Sequence, residues 1–362
     1  MDLEFINLLF LCIALAQALF AVTYVLILKK KTETTMFFVL FLVAFISPTI
    51  DHIISSSDLI EKHPRFFYTP MGFYFLLIPF FYLYVKSLIQ ELNTKETVIL
   101  LLPGLLEFLF MSVMFCLPES YSTNFRIANT TFFIIVYGVT LPIFAIILLS
   151  LSVHRIFIYR KKYLDFFSNT QKVNLKWLRY TSWLLIISYS FQLLTLFSFL
   201  NYETRDLIFL LDSILSLAFL YWISLYGIKQ SHIPAEYQLF ERSKVSTLSN
   251  ENDFAKIKAV LIATKSFKNP NLTVVELAES VDLHPKKVSS AINTFSNKNF
   301  NQFINHYRIE EAKKLLVDPA YNSFTIESLA QESGFNSKSV FNTLFKAETG
   351  QTPTSFKDLQ LT

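Results

Sequence analysis

The side chains best suited to chemistry in this sequence are lysines and amides in two short stretches. PKKVSSAINTFSNK, from Pro285, carries Lys286, Lys287 and Lys298; SKSVFNTLFK, from Ser337, carries Lys338 and Lys346. Neither stretch contains a carboxylate. The nearby acids, Glu276, Glu279, Glu327 and Glu332, fall on the segments that precede them. Cations on one element and acids on the next suit a polyanion, because each lysine set against a phosphate releases a counterion. A second group of polar residues, Asp51, Glu107, Gln192 and Asp212, lies inside long apolar runs. Holding such groups in an apolar medium costs energy, so they are candidate ligand contacts, against the plainer reading of hydrogen bonds between helices. Catalytic constellations are missing. The six histidines are scattered, and there is no HExxH, P-loop or GxSxG. Both cysteines, Cys12 and Cys116, sit in apolar runs with no CxxC pairing. No enzymatic activity, cofactor or metal site is expected.

What must position the lysines is a repeated unit. LTVVELAESVDLHPKKVSSAI, from Leu272, aligns with FTIESLAQESGFNSKSVFNTL, from Phe324, at a constant offset of 52 residues, Thr273 meeting Thr325. Leu277 meets Leu329, Ala278 meets Ala330, Val288 meets Val340 and Ile292 meets Leu344. A fixed offset in apolar and capping positions predicts one helix–turn–helix unit used twice. Thr273 with Glu276 reads as a capping box, and Thr325 as its counterpart. Gly334 and Asp282 occupy the tight turns, where a left-handed backbone is expected. Pro285 suits the first position of the next helix, with Asn336 as the matching cap in the second copy. Val288 and Ile292, and Val340, Phe341, Leu344 and Phe345, are expected to bury. Between the copies, NFNQFINHYRIEEAKKLL predicts a connecting helix with Phe300, Phe303, Ile304, Tyr307, Ala312, Leu315 and Leu316 on one face. Gly350 ends the last repeated helix and Pro353 prevents its continuation.

Over about residues 255–360 this arrangement resembles the AraC/XylS family of bacterial transcription regulators, most specifically through RIEEAKKLL and GFNSKSVFNTLFKAETGQTP. The resemblance implies that the second helix of each unit reads a major-groove segment of double-stranded DNA. The implied base-facing residues are Lys286, Lys287, Ser289 and Ser290 in the first unit and Lys338, Ser339, Asn342 and Thr343 in the second. Lys346 is the expected phosphate contact beside them. The family often has arginine where Ser290 and Thr343 stand, and many members carry a soluble sensor domain in place of the apolar runs found here.

Those runs dominate the composition, which is 52% hydrophobic with 39 Phe and only 17% charged residues. Seven candidate membrane spans are legible: Phe5–Leu28, Met36–Ser55, Thr69–Leu88, Val98–Leu117, Thr131–Leu151, Tyr180–Leu200 and Leu207–Tyr226. Each is about long enough for a hydrocarbon core of roughly 30 Å. The first is not read as a cleavable signal peptide, since Asp2 and Glu4 precede it and Lys29, Lys30 and Lys31 follow it. With the N-terminus outside, the inside loops carry Lys29–Lys31, Lys86, Lys95, Arg155, Arg160, Lys161, Lys162, Lys172, Lys176 and Arg179. The outside loops carry Lys62, Arg65, Arg126 and Arg205. That bias follows the positive-inside rule and puts the C-terminus in the cytoplasm, with DNA.

The expected fold is therefore all-α. Residues 1–228 form a seven-helix transmembrane bundle with a sensor-like role, 229–253 a juxtamembrane linker, and 254–362 a cytoplasmic DNA-binding domain with two helix-turn-helix units. The chain reads as a membrane-anchored transcription regulator of the bacterial inner (cytoplasmic) membrane. Its expected partners are double-stranded DNA and the lipid bilayer, with RNA polymerase, a second copy of the chain and an unidentified signal ligand as further candidates. The alternative is a transporter or membrane scaffold whose helical C-terminal domain is regulatory. Transport calls for paired half-helices or internal symmetry, which the spans do not show. Salt-dependent, sequence-specific DNA binding separates the two readings.

Overall fold

The computed structural model describes residues 3–55, 59–169, 175–195, 202–230 and 249–361. Among them the regular structure is helical, apart from one isolated antiparallel bridge between Phe167 and Thr273. The chain divides into two compact units: Met1–Phe157 with Asn174–His232, and Ile158–Val173 with Ile233–Thr362. Residues 158–173, which lie between the fifth and sixth expected spans, group with the second unit.

The first unit is built from α1 (Leu3–Leu28), α2 (Glu33–Ser55), α3 (Tyr74–Ile89) and α4 (Thr94–Cys116). It continues through α5 (Thr130–Tyr163, which runs on into the second unit), α6 (Lys176–Thr195) and α7 (Tyr202–Lys229). α3 packs between α2 and α4, and α1 packs on α2 and α7. Central position explains α3, which is buried on every side from Phe75 to Lys86. α4 instead turns outward an apolar stripe of Val98, Ile99, Leu102, Leu106, Leu109 and Val113. α1 does the same with Leu19, Phe20 and Ile27, and α6 with Trp183, Leu184 and Ile187. Contiguous apolar faces of this extent are uncommon on soluble monomers.

Proline shapes two of these helices. Pro142 has no N–H and would press on the carbonyl four residues back, and the turn before it widens to a π-helix over Ile134–Thr140. Leu141 N accordingly donates to Val136 O, five residues back. Pro79 lies inside α3, where surrounding helices enclose the backbone.

Among the described residues, three helices are long and apolar enough to cross a membrane: Leu8–Leu28, Thr94–Cys116 and Thr130–Tyr163. The expectation of seven such spans is corrected in that respect. The span expected over Thr69–Leu88 begins only at Tyr74, because Phe73 takes a left-handed conformation (φ 43°) and stops the helix from extending back. Its 16 residues rise about 24 Å at 1.5 Å each. α2 contributes a shorter apolar stretch, Glu33–Pro48. Lys86, counted above as a loop charge, is buried in the last turn of α3 and paired with Glu96.

The second unit contains α8 (Glu251–Thr264), α9 (Val274–Ser280), α10 (Pro285–Ser296), α11 (Phe300–Val317), α12 (Ile326–Glu332), α13 (Lys338–Thr349) and α14 (Pro353–Leu361). α9–α10 and α12–α13 are the two repeated pairs, and α11 connects them. The capping box at Thr273 and Glu276 is present, with Thr325 capping α12 and Gly350 closing α13 at φ 78°. Asp282 (φ 52°) and Gly334 (φ 96°) make the two left-handed turns. Two expectations are corrected. Ser337, not Asn336, caps α13, accepting from Val340 N. Val340 is 38% exposed, while Phe341 and Phe345 are buried with Ile309, Leu316, Leu329 and Phe335.

Candidate nucleic-acid interface

α13 presents its polar side chains along one face. Lys338, Asn342 and Lys346 recur every four residues with Thr343 beside them, which places them in a row down the helix. Lys338, Ser339, Thr343 and Lys346 are exposed and Asn342 is half-buried. This face forms one wall of a groove of about 700 Å³, whose other wall is Thr325, Ile326 and Glu327 at the start of α12 together with Thr352–Thr354. Lys338 Nζ lies 3.7 Å from Glu327 Oε2. Asn342 Oδ1 is shielded and has no hydrogen-bond partner among the described residues. The lysines and Thr343 in this groove supply donors that match base-edge acceptors and phosphates.

The equivalent helix of the first unit, α10, is engaged differently. His284 caps it, its ring nitrogen accepting from Lys286 N at 3.2 Å, and Pro285 fills the first position. Lys287 Nζ pairs with Asp253 Oδ2 at 2.9 Å, an interaction that holds the Asp253 carboxyl below the usual range. Ser290 Oγ lies 3.4 Å from Ser249 Oγ. Ser289 is buried beside Val288, while Lys286 is half-buried and Asn293 exposed. The start of α8, itself closed by a capping box between Asn250 and Asp253, therefore covers part of this helix.

Behind both helices stands a polar framework on α11 that the apolar pattern concealed. Arg308 is buried, and all its acceptors among the described residues are neutral. Nε donates to Phe267 O (2.8 Å), Nη1 to Asn305 Oδ1 (3.0 Å) and Ser168 O (3.4 Å), and Nη2 to Asn269 O (2.8 Å) and Ser168 Oγ (3.0 Å). Burial lowers its pKa to about 10, still cationic at neutral pH. Its guanidinium also faces the Phe335 ring, in the turn of the second unit, at 5.8 Å. One turn on, Glu311 meets Lys268 at 3.1 Å and Lys265 at 3.5 Å. Burial would raise the Glu311 carboxyl, but the two ammonium groups outweigh it and leave its pKa below the usual value. Gly334 is required beside this framework, since a Cβ there would lie 2.7 Å from Phe267 O and 2.8 Å from Lys268 Cα. His306, Glu310 and Glu348 cluster on the outer side of α11, with His306 bonded to Glu348 of α13.

Of the candidate ligand residues in the first unit, Asp51 and Glu107 come together. Both line a cavity of about 20 Å³ with Thr69, Gly72, Tyr74 and Gly104. Tyr74 Oη donates to Asp51 Oδ2 at 2.9 Å, and Phe75 N, an open donor at the start of α3, gives to Glu107 Oε2 at 2.9 Å. The space suits a water-sized group. Gln192 is exposed on α6 and does not line this cavity, and the Asp212 side chain lies outside the described residues.

The C-terminal region is similar to known regulators. A helix-turn-helix domain family matches residues 277–358. A curated relative, an uncharacterized HTH-type transcriptional regulator from Pseudoalteromonas carrageenovora, is 28% identical over 131 residues, covering 34% of this chain and 75% of the relative. No solved structure matches the chain. The match and the repeated helix pairs support a DNA-binding transcription regulator.

Proposed function

We propose that this chain is a membrane-anchored transcription regulator that reads specific DNA through both helix-turn-helix units and responds to a signal at its apolar half. The observation that carries DNA reading is the α13 row, Lys338, Asn342, Thr343 and Lys346, facing an open groove. In this reading Lys338, Ser339, Asn342 and Thr343 meet base edges and Lys346 meets phosphate. On α10, Lys286 adds to the DNA-facing residues, and Lys287 joins it by exchanging Asp253 for phosphate. Membrane anchoring is supported by three helices long and apolar enough to cross and by the outward apolar stripes on α1, α4 and α6. We assign all seven helices α1–α7 to the bilayer, with α3 enclosed by its neighbours and the N-terminus outside. The Asp51–Glu107 cavity is the proposed place where a signal acts.

Selection of duplexes from a random pool by the full chain in phosphatidylcholine nanodiscs tests the DNA reading. Enrichment of a bipartite sequence with elements about 10 bp apart, and binding that weakens steeply with salt, are the expected results. A pool that stays random would overturn it. Reporter fusions at Asn124 and at the C-terminus are expected to report opposite compartments; the same compartment for both would overturn the seven-helix topology.

A further inference from the structure

The segment Leu164–Ser168, LDFFS, is continuous in sequence with α5 on one side and, through residues 169–175, with α6 on the other. A passive connection between two apolar helices would be solvated. This one is built into the DNA-reading unit. Phe166 is fully buried and Ser168 nearly so. Phe166 O accepts from Val274 N at 2.9 Å and Ser168 N donates to Leu272 O at 3.1 Å, the two bonds that flank the Phe167–Thr273 bridge. Leu164 O accepts from Asn301 N at 2.9 Å. Val274 N and Asn301 N are open donors at the starts of α9 and α11, so the segment satisfies the N-termini of the supporting helix and the connecting helix together.

Side chains extend the attachment to the rest of the reader. Ser168 Oγ donates to Leu272 O at 2.7 Å and accepts from Arg308 Nη2 at 3.0 Å, while Ser168 O receives Asn301 Nδ2 at 2.7 Å. Asn293, on the reading helix α10, donates to Asp165 Oδ1 at 3.3 Å. Arg308 carries the connection onward to Phe335 in the second unit's turn. Withdrawal of the segment would leave donors of a buried cation and two helix ends without acceptors, at the centre of the framework that orients both reading helices.

We infer that Leu164–Ser168 is a docking strand through which the apolar half controls the DNA reader: seated, it holds α9, α10 and α11 in the binding arrangement, and withdrawn, it lowers DNA affinity. This rests on the function proposed above. Because the strand is tied at both ends to apolar helices, a shift of α5 against α6 acts on it directly, and no separate relay module is needed. Control of this kind obeys population arithmetic, in which apparent affinity falls in proportion to the fraction of molecules with the strand seated.

A reversible lock tests it. Phe167 and Thr273 form the pair without hydrogen bonds to each other in the bridge, where Cα atoms approach to about 4.5 Å and a disulfide fits. Phe167→Cys with Thr273→Cys, in a chain also carrying Cys12→Ser and Cys116→Ser, is reconstituted in phosphatidylcholine nanodiscs and assayed oxidised and after reduction. Comparing one protein in two redox states removes any difference in folding caused by the substitutions. The oxidised form is expected to bind the selected duplex more tightly than the reduced form, by about tenfold if one molecule in ten is seated when unlocked. Slower amide exchange at Val274 and Asn301 is expected alongside. Equal affinity in both states, or weaker binding when locked, would overturn the inference while leaving the proposed DNA reading intact. Failure of the wild-type chain to select any sequence would instead overturn that reading.

Discussion

Ser168 Oγ accepts a hydrogen bond from Arg308 Nη2 at 3.0 Å, joining residues 140 positions apart in the chain. Through this contact a segment between two apolar helices becomes part of the interior of a DNA-reading domain. Arg308 is the centre of that interior, because its donors reach the docking segment, the approach to α9 and its own helix.

Replacing Arg308 by lysine keeps the charge but loses the planar fork, leaving several neutral acceptors unmatched. Arg308→Lys is expected to destabilise the C-terminal unit by about 3 kcal/mol, at the upper end for hydrogen bonds to a charged group. Urea unfolding followed by hydrogen exchange over α9–α13 in the full chain measures it.

Gly334 tests the turn of the second unit. At φ 96° and with Phe267 O 2.7 Å from a new Cβ, Gly334→Ala meets both backbone strain and a backbone clash. A loss of about 2 kcal/mol or more is expected, larger than the usual effect of a surface substitution. Thermal unfolding followed by amide exchange in α12 and α13 reports it.

The α13 face divides into two kinds of contact. Asn342→Ala and Lys338→Ala are expected to weaken the selected duplex by about 1–3 kcal/mol each with little effect on random DNA. Lys346→Ala is expected to weaken both alike and to reduce the salt slope by about 1. Titrations at several salt concentrations on specific and random duplexes separate these outcomes.

Two carboxyls give opposite pH dependence. Glu311 has a folded pKa below its ordinary 4.5, so its contribution to stability is present above that value and lost as pH falls through the folded one. Glu311→Gln is expected to flatten the loss of C-terminal stability between about pH 5 and pH 3, seen in unfolding scans.

Asp165 has the reverse sign. Burial raises its pKa above 3.8, more than Asn293 and Lys161 lower it, so its favourable contribution exists at low pH and disappears as pH rises through the folded value. Asp165→Asn removes that cost at neutral pH while leaving an oxygen for Asn293. Slower exchange at Val274 and Asn301 is expected in the variant at pH 7, with the gap to wild type closing as pH is lowered.

Local rules were sufficient wherever a feature depends on a few neighbouring residues. The capping box at Thr273, proline at the start of α10, the left-handed turns at Asp282 and Gly334 and the offset of the two helix pairs were all readable from the sequence, because each follows from bonding within one or two turns. So was the helical character of the apolar runs. Features that depend on what lies across from a residue were not. Ser289 and Lys287 are both polar residues of the expected reading helix, yet one is buried and the other is paired with Asp253 on a different helix. Lys86 has the composition of a loop charge but is buried against Glu96. Asp51 and Glu107 are 56 positions apart and line one cavity, which no periodicity within a single helix encodes. No apolar periodicity marks Arg308 as interior, and Leu164–Ser168 carries no repeat or motif. Their pairing depends on a bridge between Phe167 and Thr273, and only the folded chain brings those two backbones within hydrogen-bonding distance.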